Sequence, residues 1–166
     1  MKILYLHGLD SFLQNDRKEV LEQYGTVYAP ILDYKNTPDL FQILQKDYAH
    51  IQAIIGSSAG GLIAYFLAQF LQKPCLLFNP ALTFKHQMPI SITFNPKYEE
   101  YMQIVIGGQD EVIQGWQSLA IIQNDISENQ NITIHFVNKM KHSYNIDIFG
   151  KEVDFFFNEL KIKKLS

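Results

Sequence analysis

A serine with glycine two residues away on each side stands at the centre of Gly56-Ser57-Ser58-Ala59-Gly60. The segment lies between the apolar run Ala53–Ile55 and an apolar stretch beginning near Ala59, so it predicts a sharp strand-to-helix turn with Ser58 at its apex. A hydroxyl there would stand above the carboxyl edge of a sheet. The Ala59 N–H, at the helix N-terminus, would point toward an oxyanion formed beside it, and Ser57 is expected to face elsewhere. The competing reading is that small residues merely make a tight strand–helix connection. Phosphate cradling is disfavoured, because the segment lacks the lysine of G-x-x-x-x-G-K-[ST] and does not fit G-x-G-x-x-G.

A serine hydroxyl is a poor nucleophile without a base, and the base needs a third group to hold its tautomer and stabilise its cation. For a nucleophile on such a turn the expected chain order is nucleophile, acid, base, the last two on loops after late strands. Two loops qualify. The run Met102–Ile106 leads into Gly107-Gly108-Gln109-Asp110, and Ile132–Val137 leads into Asn138-Lys139-Met140-Lys141-His142. Asp110 could instead be a helix N-cap, and Glu111 is the substitute acid. Of the other histidines, His135 falls inside a strand, His50 follows a helix, His86 lies in an irregular segment and His7 ends the first strand. The pair His7-Gly8 makes Leu9 N–H the candidate second oxyanion donor, with His7 bonding loop backbone beneath the site and Gly8 permitting the turn.

No H-x-x-x-H or related ligand spacing joins the five histidines, so neither a metal nor a cofactor is expected. Phe12, Phe84, Met88, Ile113, Trp116 and Tyr144 are the candidate pocket residues, and they suit an apolar acyl group better than a sugar or a charged peptide. Each could equally be ordinary core. Lys141, next to His142, would disfavour an imidazolium if its ammonium came close; the simpler reading is a lysine in water.

These residues need elements to position them. Six apolar runs bounded by turn residues, Ile3–His7, Thr26–Ala29, Ala53–Ile55, Cys75–Asn79, Met102–Ile106 and Ile132–Val137, predict strands. Between and after them, Asp16–Tyr24, Pro38–His50, Ala59–Gln72, Val112–Gln123 and Lys151–Lys163 have spacing nearer 3.6 residues. Thr37 and Pro38 predict the start of the second helix. Continuously apolar strands and an all-round apolar third helix point to a parallel sheet covered on both faces, a three-layer α/β sandwich. Only Pro80–Tyr101 fails to join the alternation, and residues 81–101 are read as a short cap-like insertion in a single domain spanning 1–166.

Composition excludes other classes. In 166 residues, 47% are hydrophobic and 19% charged, which is too apolar for a disordered chain and enough for one core. Fourteen basic against 17 acidic residues leave a net charge of -3, and Arg17 is the sole arginine, so nucleic acid is an unexpected partner. A solitary Cys75 cannot form an internal disulfide. The apolar stretch Leu62–Ala68 is too short to span a bilayer, and Ile3–Leu6 too short for a signal-peptide core. The expectation is a cytoplasmic protein without a membrane span, its oligomeric state open.

Taken together, Leu4-Tyr5-Leu6-His7-Gly8, Gly56-Ser57-Ser58-Ala59-Gly60-Gly61, Asn79-Pro80-Ala81, Asp110-Glu111-Val112 and His142 with Tyr144 resemble the α/β-hydrolase superfamily, and within it the small YqiA-type esterases, the UPF0227 family. The likeness runs from Ile3 to Phe157. It implies a minimal α/β-hydrolase fold, a six-stranded parallel sheet of order 2-1-3-4-5-6. It also implies a serine esterase or thioesterase acting on small-molecule esters or acyl thioesters through Ser58, His142 and Asp110 and an acyl-enzyme. The same groups would serve an acyltransferase. Where relatives place Gly-Gly-x-His, this chain has Asn138-Lys139-Met140-Lys141-His142; a loop that disabled the base would leave a non-catalytic binding module.

Overall fold

The computed structural model describes residues 1–87, 97–126 and 130–163. The six apolar runs form strands β1 (Lys2–Leu6), β2 (Thr26–Tyr28), β3 (Ala53–Ser57), β4 (Cys75–Phe78), β5 (Met102–Gly107) and β6 (Ile132–Val137). They hydrogen-bond in the order β2-β1-β3-β4-β5-β6, every neighbouring pair parallel. Parallel neighbours require the chain to cross back over the sheet. It does so through α1 (Asn15–Glu22), α2 (Leu40–Asp47), α3 (Ala59–Leu71) and α4 (Gly115–Asp125), with α5 (Ile146–Lys163) closing the described chain.

Alternate side chains of a strand point to opposite faces, and both faces here are apolar. Leu4 and Leu6, Ile54, Cys75 and Leu77, and Ile104 and Ile106 pack with α2, α3 and Ile122 of α4. Ile3 and Tyr5, Ala53 and Ile55, Leu76 and Phe78, and Val105 pack with Leu21 of α1 and with Phe149, Val153, Phe156 and Phe157 of α5. Helix α3 is buried without a break from Ala59 to Gln69. This is the three-layer sandwich that the continuous apolar runs predict.

Helix starts depart from the sequence reading for local reasons. Helix α4 begins at Gly115, not Val112, because the N–H groups of Val112 and Ile113 both donate to Asp110 Oδ1 at 2.8 Å and hold a turn there. Helix α5 begins five residues before Lys151: Asn145 Oδ1 accepts the Ile148 N–H at 3.0 Å, a side-chain cap the periodicity missed. Helix α2 begins at Leu40 because residues 37–39 form a turn in which the Leu40 N–H reaches Thr37 O at 3.1 Å.

The segment read as an insertion is anchored in the body at both ends. Ala81, Leu82, Tyr98 and Tyr101 are buried, and the Tyr98 hydroxyl donates to Lys73 O at 2.8 Å. A 3-10 helix spans Leu82–Gln87, and residues 88–96, Met88 among them, lie outside the described residues. No described helix is long and apolar enough to cross a membrane.

Candidate active site

The sheet register pairs Leu6 with Gly56, Ser57 with Phe78 and Gly107 with Val137, which brings the loops after β1, β3, β4, β5 and β6 to one edge. In open parallel sheets the crevice beyond the carboxyl ends, where the strand order reverses, is the usual ligand site. Ser58 sits there between β3 and α3 with φ 54° and ψ -118°, a backbone region that side-chain-bearing residues rarely occupy. The turn is tied down at three points: Ser58 N–H donates to Phe78 O, and Ser58 O accepts from Leu62 and Ala81, all at 3.0 Å. Such tightness needs glycine. A Cβ on Gly60 would lie 2.1 Å from Leu6 O, so any side chain there would force α3 away from β1. A Cβ on Gly8 would lie 3.3 Å from Ser58 Cβ, which places the His7–Leu9 turn directly against the serine.

Ser58 Oγ lies 3.0 Å from His142 Nε2, and His142 Nδ1 lies 2.8 Å from Asp110 Oδ2. These contacts link residues 84 and 32 positions apart. With the imidazole neutral, Nδ1–H donates to the carboxylate and Nε2 accepts the serine proton. The Asp110 side chain is fully buried, and its other oxygen takes the two turn N–H groups. Asp110 is not the N-cap of α4, whose cap position is Gln114; one of its oxygens holds the turn before the helix while the other meets His142. Glu111 and Lys141 are exposed.

The base loop lacks glycine, and the acid loop supplies it. A Cβ on Gly107 would meet Met140 O at 2.6 Å, so the two loops touch backbone to backbone. The Gln109 N–H donates to Met140 O at 2.9 Å, and Met140 is buried beneath. Asn79, buried at the end of β4 with φ 42°, clips both loops: its Oδ1 accepts the Gly107 N–H at 2.7 Å and its Nδ2 donates to Lys141 O at 3.0 Å. Across the site His7 donates from Nδ1 to Gly8 O at 2.6 Å and accepts at Nε2 from Leu32 N–H at 2.9 Å. It braces loop backbone, as its place in the sequence suggests.

Ser58 and His142 border a cavity of about 850 Å³, with the Asp110 side chain buried behind them. Leu9 and Ala59 line it beside Ser58, and the first N–H groups of a helix such as α3 have no acceptor within it. Phe12, Phe84, Ile113 and Tyr144 line it too. Trp116 does not belong to this lining: on α4 its ring is 67% exposed and its Nε1 donates to Gln114 Oε1. Ser57 does not face elsewhere; it borders the cavity and accepts the Tyr144 hydroxyl at 3.0 Å. Tyr5, Tyr34, Arg17, Gln14 and Gln87 line the wall as well, making it more polar than an apolar acyl pocket. Among the described residues no group of three or more His, Cys, Asp or Glu could hold a metal.

Residues 2–104 match the Uncharacterised protein family UPF0227. The chain belongs to that family. The UPF0227 match spans the His7–Leu9 turn and the Ser58 elbow, ending inside β5, whereas the resemblance read from the sequence extends to Phe157 and includes Asp110 and His142. No curated protein matches the chain in sequence. Among solved structures it is similar to Est1E from Butyrivibrio proteoclasticus, with TM-score 0.75, 17% identity, and 95% of this chain and 87% of that chain covered. It is also similar to MGS-MChE2, an α/β-hydrolase enzyme from lagoon sediment metagenome (TM-score 0.74, 14% identity, 97% and 92% covered). The mouse α/β-hydrolase domain-containing protein 10 gives TM-score 0.68 at 13% identity, with 96% and 90% covered. This UPF0227 member therefore has the α/β-hydrolase fold.

Proposed function

We propose that the protein is a serine hydrolase of carboxylic esters or acyl thioesters. The observation that carries this reading is the unbroken hydrogen-bonded path from Ser58 Oγ through His142 to the buried Asp110, opening on the cavity. His142 takes the proton as Ser58 attacks the carbonyl, then returns it to the departing alcohol or thiol. Asp110 holds the imidazole in the tautomer that leaves Nε2 free to accept and stabilises the cation formed. The N–H groups of Ala59 and Leu9 stabilise the oxyanion, each such donor being worth on the order of 10²–10³ in kcat. Water then releases the acyl group from Ser58. Residues 1–166 act as one domain, with the start of the 81–101 segment forming part of the cavity wall.

The contact between His142 and Ser58 supports a working base despite the loop without glycine. The test is labelling with a fluorophosphonate, together with hydrolysis of 4-nitrophenyl acetate, butyrate, octanoate and palmitate and of the matching acyl thioesters. Ser58→Ala and His142→Ala, each folded by circular dichroism, are expected to lose at least about 10³-fold in kcat, with labelling abolished in Ser58→Ala. Labelling at another residue, or none in folded wild type, would overturn the assignment.

A further inference from the structure

Arg17, the only arginine in the chain, borders the same cavity from α1. Its Nη2 donates to Tyr144 O at 2.7 Å, and its Cζ stands 4.4 Å from the Tyr144 ring centroid and 5.3 Å from that of Phe149. A guanidinium has five donors in a planar fork; the Tyr144 carbonyl and the Tyr5 and Tyr144 hydroxyls share it, all of them neutral acceptors. No described carboxylate forms an ion pair with Arg17, whereas Lys35, the other cation on the cavity, is already paired with Asp10 at 3.1 Å. The neighbouring hydroxyls do not supply the missing negative charge. Burial pushes the Tyr5, Tyr34 and Tyr144 hydroxyls above the ordinary tyrosine range, with Arg17 opposing this only in part at Tyr5 and Tyr144.

Tyr144 links this cation to the residue next to Ser58. Its carbonyl takes Arg17, and its hydroxyl donates to Ser57 Oγ, one residue before Ser58. Ser58 and Arg17 line the same cavity, so a ligand with its carbonyl at Ser58 can extend within it toward Arg17. A carboxylate suits the fork, since guanidinium–carboxylate pairs are commonly bidentate and stronger than neutral hydrogen bonds.

We infer that Arg17 binds a carboxylate carried by the substrate some bonds from the scissile carbonyl, so that the favoured substrates are anionic esters or thioesters. The inference rests on the reading of Ser58 as nucleophile, and the carboxylate can belong to either half of the ester. Two matched pairs separate the halves. Mono-4-nitrophenyl adipate against 4-nitrophenyl hexanoate probes the acyl side; the butyrate ester of 4-hydroxyphenylacetate against that of 4-methylphenol probes the alcohol side. In at least one pair the wild type is expected to favour the charged ester by about tenfold or more in kcat/KM, mainly through KM. Arg17→Gln should bring that ratio close to one, and Arg17→Lys should restore part of it. A ratio near one in both pairs, a ratio that survives Arg17→Gln, or an equal loss on charged and neutral esters would overturn the proposal, the last making Arg17 a prop for the Tyr144 loop. Calorimetric titration of Ser58→Ala with monomethyl adipate reads the same site without turnover. Binding that Arg17→Gln removes from this background supports the carboxylate site even if wild type hydrolyses nothing, an outcome that would sink the hydrolase reading alone.

Discussion

Asp110 divides its oxygens between folding a turn and orienting an imidazole, and Asn79 divides its amide in a comparable way between the acid and base loops. Asn79→Ala leaves a buried N–H and a carbonyl without partners, at about 1–3 kcal/mol each. The urea midpoint should fall accordingly, and kcat for ester hydrolysis should drop by about 10–100-fold, because small misplacements of catalytic groups are costly. Asn79→Asp keeps the acceptor for Gly107 and loses the donor to Lys141, so its kcat should fall between the two; a wild-type kcat in Asn79→Ala would show that the loops hold themselves. Sequence order sufficed to bring Ser58, Asp110 and His142 under consideration together, since motif and loop position point to each. Asn79 and Ser57 stood in the segments that carry the resemblance and Arg17 stood out as the sole arginine, but nothing local pointed to what each one bonds. Their partners stand 62, 87 and 127 residues away, and what each reaches depends on packing among elements that no local pattern encodes.

At the scale of elements, the contact between β1, β3 and α3 is so close that glycine becomes a structural requirement. Gly60→Ala would set a methyl against the Leu6 and His7 carbonyls, with 2.1 Å and 2.4 Å to the two oxygens, and is expected to destabilise by more than about 3 kcal/mol or prevent folding. Gly150, within α5, is the counterpart: nothing lies within 4 Å of an added Cβ. Gly150→Ala should therefore stabilise by about 0.5–1 kcal/mol through helix propensity. Urea denaturation of both variants checks the pair, and a destabilised Gly150→Ala would contradict the open space beside α5. The strands and their apolar faces were legible in the sequence because two-sided burial leaves an unbroken apolar run. The start of α3 at Ala59 was legible too, but those of α4 and α5 were not, because Asp110 and Asn145 act through side-chain bonds to backbone, which periodicity does not register.

Across the whole molecule, Cys75 lies on interior strand β4 with no exposed surface, and burial pushes its thiol up to about 12, with the Tyr98 hydroxyl opposing in part. The folded state holds the thiol in its protonated form at pH 8, and only the thiolate reacts. Native protein should therefore resist iodoacetamide, with labelling appearing in urea together with loss of circular dichroism; rapid labelling of native protein would mean that β4 opens on its own. The order of the elements also carries a consequence for timing during synthesis. The serine belongs to the β3–α3 elbow, while its proposed acid and base follow β5 and β6. On the proposed reading, a growing chain emerging from the ribosome carries its serine early but lacks the acid and base until β5 and β6 have joined the sheet. On that reading the half-made protein would be inert toward esters, and reactivity would arrive only with the finished sheet edge.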